Sequence, residues 1–155
     1  MTKLNIISLL FLCPFLMVNN DFSQFLEEFV ETRDCSKLSL SGNLFSWSNK
    51  DEVKSKIKDF QLFIFDEDDY LSDKDVSKIK NEIRKNNMEL LNMIKSKGSL
   101  IEIYVNEKND VIHDLFMIVQ GEDSSILFNA NGSIRFEDLK NINIDFDGSD
   151  ELKKL

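Results

Sequence analysis

Apolar residues recur along this chain with two different periods, and each change of period predicts a new element. From Asp21 to Arg33, Phe22, Phe25, Leu26, Phe29 and Val30 return at helical spacing between Glu27, Glu28 and Glu31. That predicts a short amphipathic helix, capped by Asp21 or Ser23. Lys37 to Ser41 alternates polar and apolar, which predicts a half-buried strand ended by Gly42 and Asn43. Lys50 to Lys58 carries Val53 and Ile57 four apart behind Ser48 and Asn49, which predicts a helix. Phe60 to Phe65 is a dense apolar run of strand length. The longest helix is predicted from Lys74 to Lys97, with Ser72 or Asp73 as its cap and Gly98 as its stop. Val76, Ile79, Ile83, Leu90 and Ile94 form its apolar stripe.

Beyond Gly98 the period shortens to two. Leu100 to Val105, Val111 to Val119 and Ser125 to Asn129 predict three strands. The turn Glu107 to Asp110 and the connection Gln120 to Ser124 are short, so the three form an antiparallel meander. Asn131-Gly132 predicts a turn, because both residues tolerate positive φ. Ile134 and Phe136 suggest a short edge strand, and Glu137 to Ile142 a last short helix. No repeat or long linker interrupts the pattern. It predicts a single α+β domain over residues 21–145, a mainly antiparallel sheet with helices packed on one face, then a polar tail at 146–155.

Residues 1–20 follow neither period. Lys3 precedes an apolar run from Leu4 to Val18, the pattern of a signal peptide and too short to span a bilayer comfortably. A buried amino-terminal helix is the alternative. Met17, Val18, Asn19 and Asn20 offer no small residue, so the cleavage site is not fixed and retention as an anchor stays open. Cys13 follows Leu10 by three positions, as in a bacterial lipobox, but Leu12 is not small and Pro14 to Val18 remain apolar. Cys13 is therefore a lipidation candidate or simply an apolar residue of the leader. Without the leader, Cys35 is the only thiol, and no intramolecular disulfide can form.

Charge narrows the partners. With 28 acidic and 19 basic residues the net charge is −9, which argues against nucleic acid and against a polybasic membrane surface. Membrane contact is expected only through a retained or lipidated leader. Hydrophobic residues at 42% suffice for a core.

Candidate chemistry is sparse. His113 is the only histidine, set between Ile112 and Asp114, with no partner that would make it a general base. One His and one mature Cys exclude a structural zinc site. Asp66 to Asp69 is a tight acidic cluster, but an EF-hand needs Gly and Glu where Leu71 and Ser77 stand. Asp145 to Glu151 lacks calcium-loop spacing as well. Asn131-Gly132-Ser133 matches a glycosylation pattern too short to weigh. Phe45 and Trp47 are either core residues or an exposed binding pair. No phosphate loop or nucleophile elbow is present, and no catalytic, cofactor-binding or metal-binding residue is assigned.

The order of these pieces resembles a family, the bacterial domain of unknown function 4252. The strand Phe60 to Phe65 precedes a long helix. Leu100-Ile101-Glu102-Ile103-Tyr104-Val105, a turn and Ile112 to Val119 follow. Gly121-Glu122-Asp123 leads into Ile126-Leu127-Phe128, and Asn131-Gly132-Ser133-Ile134 enters an element ending near Leu139. The resemblance implies a small exported protein of Bacteroidetes-type bacteria, often with a signal or lipoprotein leader. It carries over no functional residue.

The expectation is an extracytoplasmic protein, in the periplasm, the cell envelope or secreted. Its expected role is non-enzymatic, binding another protein. Two alternatives come from other classes: a carboxylate-based hydrolase acting on an envelope sugar, with paired acids facing a cleft, and a small-ligand carrier with a pocket between sheet and helices.

Overall fold

The computed structural model describes residues 22–47, 55–96 and 98–135. Two helices, α1 (Phe22–Val30) and α2 (Asp73–Lys85), pack on a six-stranded sheet, and a 3-10 turn at Glu67–Asp69 precedes α2. The strands are β1 (Ser36–Trp47), β2 (Ser55–Phe65), β3 (Glu89–Ser96), β4 (Ser99–Lys108), β5 (Val111–Gln120) and β6 (Ser125–Arg135). Their order across the sheet is β1-β2-β6-β5-β4-β3, and every neighbour pair is antiparallel. This is the α+β architecture expected from the pattern, with the meander β4-β5-β6 at its centre.

Both helices lie on one face of the sheet. Phe22, Leu26, Phe29 and Val30 of α1 and Val76, Ile79 and Ile83 of α2 share a buried cluster with Phe63, Phe65, Tyr104, Phe116, Ile118 and Leu127. Phe22 meets Phe116 edge to face, with ring centroids 4.8 Å apart. The opposite face is apolar too. Ile101, Ile103, Val105, Leu115, Met117, Val119, Phe128 and Ala130 form a second buried cluster, whose described members all lie on strands. Period two along each strand separates the two sets.

The helix predicted from Lys74 to Lys97 is two elements. Ser72 caps α2 in a capping box with Asp75, and the helix ends at Lys85. Asn87 adopts φ 55°, a left-handed conformation that Asn tolerates. Its N–H donates to the Arg84 carbonyl and that of Met88 to the Ile83 carbonyl, both at 3.1 Å, which satisfies the last turn as a Schellman motif. The chain then reverses into β3. Leu90 and Ile94, assigned to the helical stripe, are strand residues, and Gly98 (φ 82°) turns β3 into β4 rather than stopping a helix.

Three other expectations change. Ser55–Lys58 open β2 instead of ending a helix, because Lys56 and Ile57 pair with both β1 and β6; the remainder of that predicted helix lies outside the described residues. Gly42 and Asn43 do not end β1, which runs on through a register shift between Ser41 and Phe45. Phe45 and Trp47 thus belong to β1, opposite Ile57 and Ser55. Asn131-Gly132 is no turn but the middle of β6, which also contains Ile134. The ladders on both sides of β6 shift register there, at Ile57/Asp59 and Ile112/Asp114. A Cβ on Gly132 would lie 2.0 Å from the Lys56 carbonyl oxygen, so the close approach of β2 requires glycine. The leader with Cys13, Phe136, the helix at 137–142 and the tail at 146–155 lie outside the described residues.

Buried polar groups fix how the helices sit. Glu102, alone among apolar neighbours on β4, is buried and receives the α2 residue Lys80, with Nζ 2.8 Å from Oε1 and 2.7 Å from Oε2. The Tyr104 hydroxyl donates to the same carboxylate at 3.3 Å. Burial, then the Glu102 charge and that hydrogen bond, push the Tyr104 phenol up to about 12. Across the sheet, buried Asn129 donates to Gln61 Oε1 (2.9 Å) and to Ser23 Oγ (3.1 Å) of α1.

Two substitutions test this account. Gly132→Ala is expected to cost about 2 kcal/mol or more in urea unfolding, since neither backbone can yield. Lys80→Met leaves the Glu102 carboxylate buried without its cation and is expected to cost about 2–3 kcal/mol. Replacing Lys80 and Glu102 together by Met should recover most of that loss in the same measurement.

Candidate functional site

Where α1 ends, the chain passes into β1 beside the 3-10 turn, and charged side chains gather. Arg33 Nη2 lies 2.5 Å from Asp75 Oδ1, and Nη1 lies 3.9 Å from Asp69 Oδ1. Its guanidinium also stacks on the Phe29 ring, 4.5 Å from the centroid. The Asp34 N–H donates to Asp69 Oδ2 at 2.9 Å. The acidic run Asp66 to Asp69 therefore ties its loop to the end of α1. Among the described residues, no group of three or more His, Cys, Asp and Glu side chains is placed to hold a metal ion.

An open cleft of about 390 Å³ lies beside this junction, lined chiefly by Glu27, Glu28, Glu31, Arg33, Cys35 and Lys37. The carboxylates and cations in it are largely committed to one another. Glu27 pairs with Lys37 and accepts a hydrogen bond from Gln61 Nε2 at 2.9 Å, while Arg33 holds Asp75 and Asp69. The Cys35 thiol is pushed up first by burial and then by the Asp69 and Asp34 charges, against which Arg33 works only in part. It stays protonated near neutral pH and is a poor nucleophile.

His113 is exposed on β5 at the register shift, and β5 neighbours β4 and β6, not the α1–β1 cleft. The structure brings no base to Cys35 from there. Asn131 is half-buried within the sheet, with its Oδ1 buried and accepting no hydrogen bond.

A second feature was hidden in the predicted long helix. β3 is an edge strand, paired only with β4 among the described residues. Leu90 and Met93, respectively 49% and 47% exposed, stand on it as large apolar side chains open to water. Asn92 Oδ1 accepts the Met93 N–H at 2.8 Å, next to the register shift between Leu90 and Asn92. The signal for this strand was the pair Asn86-Asn87, a break that the apolar spacing alone bridges. The signal for the buried polar groups was equally local: Gln61 and Glu102 each interrupt an apolar run.

The Asp75 carboxyl gives a pH test. Burial raises it, but hydrogen bonds from the Ser72 hydroxyl and N–H, and then the Arg33 charge, outweigh burial and hold it below 3.8. A depressed carboxyl stabilises the fold above its unfolded value, and that stabilisation disappears as pH falls through the folded value. Urea midpoints taken from about pH 5 down to pH 2.5 should fall more steeply for the natural chain than for Asp75→Asn. Parallel decline of the two would refute the assignment.

Comparison with known proteins places the chain. No curated protein and no solved structure matches it. The family model described as Domain of unknown function (DUF4252) matches residues 27–142, from within α1 to beyond the end of β6. A match over most of the chain, spanning the whole sheet, shows that the protein belongs to the DUF4252 family.

Proposed function

We propose that this protein is a non-enzymatic domain of the bacterial cell envelope that binds another protein along the β3 edge. The supporting observation is the exposure of Leu90 and Met93 on an edge strand whose outer side has no described neighbour. An edge of this kind accepts an extended segment of a partner by strand addition, main chain to main chain, with apolar side chains meeting alternate residues. The export reading rests on the apolar leader, which would carry the domain to the periplasm, the envelope or the exterior.

The two enzyme-like and carrier-like readings draw less support. The cleft carboxylate Glu27 is paired with Lys37 and hydrogen-bonded by Gln61 rather than held ready for acid–base work. The space between sheet and helices is filled by Phe22, Phe63, Phe65 and Phe116 among others, where a carrier needs a pocket.

The test is affinity capture from native envelopes with the tagged full chain and its Leu90→Glu/Met93→Glu variant. Both sites are half-exposed, so the variant should keep its circular dichroism and lose no more than about 1 kcal/mol of stability. A stoichiometric partner held by the natural chain and released at least tenfold more readily by the variant is the expected result. Equal capture by both forms, or capture of nothing, refutes the proposal.

A further inference from the structure

The register of β3 fixes which way its exposed side chains point. Leu90 lies opposite Tyr104 and Met93 opposite Glu102, with Leu91 as the extra residue of the register shift. Tyr104 packs in the helix-side cluster and Glu102 receives Lys80 of α2, so Leu90 and Met93 both stand on the helix face. Their partners on β4 are two residues apart, which sets Leu90 and Met93 about 7 Å apart along the edge, the spacing of alternate residues in an extended chain. Lys95, two beyond Met93, continues the same face. Glu89 lies opposite Val105 of the second cluster and faces the other way. The charge on this edge is opposite to that of the chain, which is −9. Arg84 is exposed in the last turn of α2, just before the reversal that leads into β3, and its charge acts on the phenol of Tyr104, the residue opposite Leu90. Lys80 and Lys85 are paired with Glu102 and Glu82. Arg84, by contrast, reaches the neutral amide of Asn81, and exposed Lys95 pairs with no carboxylate among the described residues. Glu122, whose carboxylate lies against Gly98 in the turn beyond, does not pair with Lys95 either. Two apolar side chains are thus bracketed by two cations without counter-charges, Arg84 before the strand begins and Lys95 near its end.

We infer that the partner at this edge is an extended segment of another protein, with two apolar side chains at alternate positions and a carboxylate beyond each. The inference rests on the partner-binding reading of β3 and adds the chemistry of what binds there. Carboxylates at both ends meet Arg84 and Lys95 whichever way the added strand runs. A second copy of this chain does not fit. A two-fold axis at the edge sets β3 antiparallel to its copy, so Arg84 of each meets Lys95 of the other, like charge against like. Backbone pairing selects little by itself at the centre of the edge, because the Met93 N–H is already held by Asn92 Oδ1 at 2.8 Å. Selection falls to the apolar pair and the two cations.

The experiment titrates the full chain into two labelled peptides, Asp-Thr-Val-Thr-Val-Thr-Asp and Lys-Thr-Val-Thr-Val-Thr-Lys, and reads fluorescence anisotropy at low salt. The natural chain should bind the acidic peptide about tenfold more tightly, against the preference that its net charge alone would give. Arg84→Gln/Lys95→Gln changes two exposed side chains, so it should keep its circular dichroism and lose that preference. Salt at about 0.5 M should shrink the preference as well. Leu90→Ser/Met93→Ser should weaken binding of both peptides. Equal binding of the two peptides, binding of neither, or a preference that survives Arg84→Gln/Lys95→Gln would overturn the inference. So would a dimer of the pure natural chain that Leu90→Ser/Met93→Ser dissolves, since it gives the edge to a second copy. The two readings fail separately. An envelope partner released by Leu90→Glu/Met93→Glu, beside equal binding of the two peptides, removes the acidic chemistry and leaves binding at β3 standing. Peptide binding that Leu90→Ser/Met93→Ser leaves unchanged removes both.

Discussion

Strands β2, β6, β5 and β4 carry large apolar side chains on both faces, and such a sheet holds together only when both faces are kept from water. On one side that demand is met by α1 and α2, whose apolar stripes meet Phe63, Phe65, Phe116, Ile118 and Leu127. Each fully buried side chain of this size contributes roughly 1.5–3 kcal/mol relative to exposure. The helices cannot be moved without reopening that surface. Three of the buried polar groups are arranged around this constraint. Glu102 takes its cation from α2, and Asn129 and Gln61 reach to α1. These contacts add little net stability for groups that were hydrated before folding. They act as registers instead, since a helix displaced by one turn would leave a buried carboxylate or amide unmatched.

The same economy holds in the α1–β1 cleft. Arg33, Lys37, Glu27 and Asp75 look on paper like material for a site. In place, Arg33 and Asp75 hold the end of α1, the 3-10 turn and the start of α2 together, and Lys37 and Glu27 tie β1 to α1. At the β3 edge, by contrast, Leu90 and Met93 hold apolar side chains open to water beside a strand side with no described neighbour.

Much of the fold was legible because period and burial coincide in it. The meander β4-β5-β6, the amphipathic α1 and the start of α2 at Ser72 all follow from residues that face one environment throughout. The errors fall where spacing is ambiguous or where a glycine has two uses. Val76, Ile79, Ile83, Leu90 and Ile94 fit one helical stripe arithmetically, yet the Asn86-Asn87 reversal lets Leu90 and Ile94 serve a strand. Asn131-Gly132 has the composition of a turn, but its glycine is needed for close approach between two strands. Pairing between β2 and β6 depends on distant partners, so no local pattern announces it. For the site, the cleft residues were visible as types, while their mutual neutralisation is a matter of three-dimensional contact.

The strand order has a consequence for how the molecule assembles. β1–β2 is one hairpin, and β3 through β6 is a run of successive hairpins, so each half of the sheet is built from near neighbours in sequence. Only the β2–β6 seam joins residues roughly 60 to 80 positions apart. Loop-closure entropy sets that seam behind the hairpins in time. Gly132 sits on it, facing the Lys56 carbonyl. A backbone approach too close for a Cβ thus coincides with the joint between the two kinetic halves of the sheet, and a side chain added there would slow the joining as well as loosen the product.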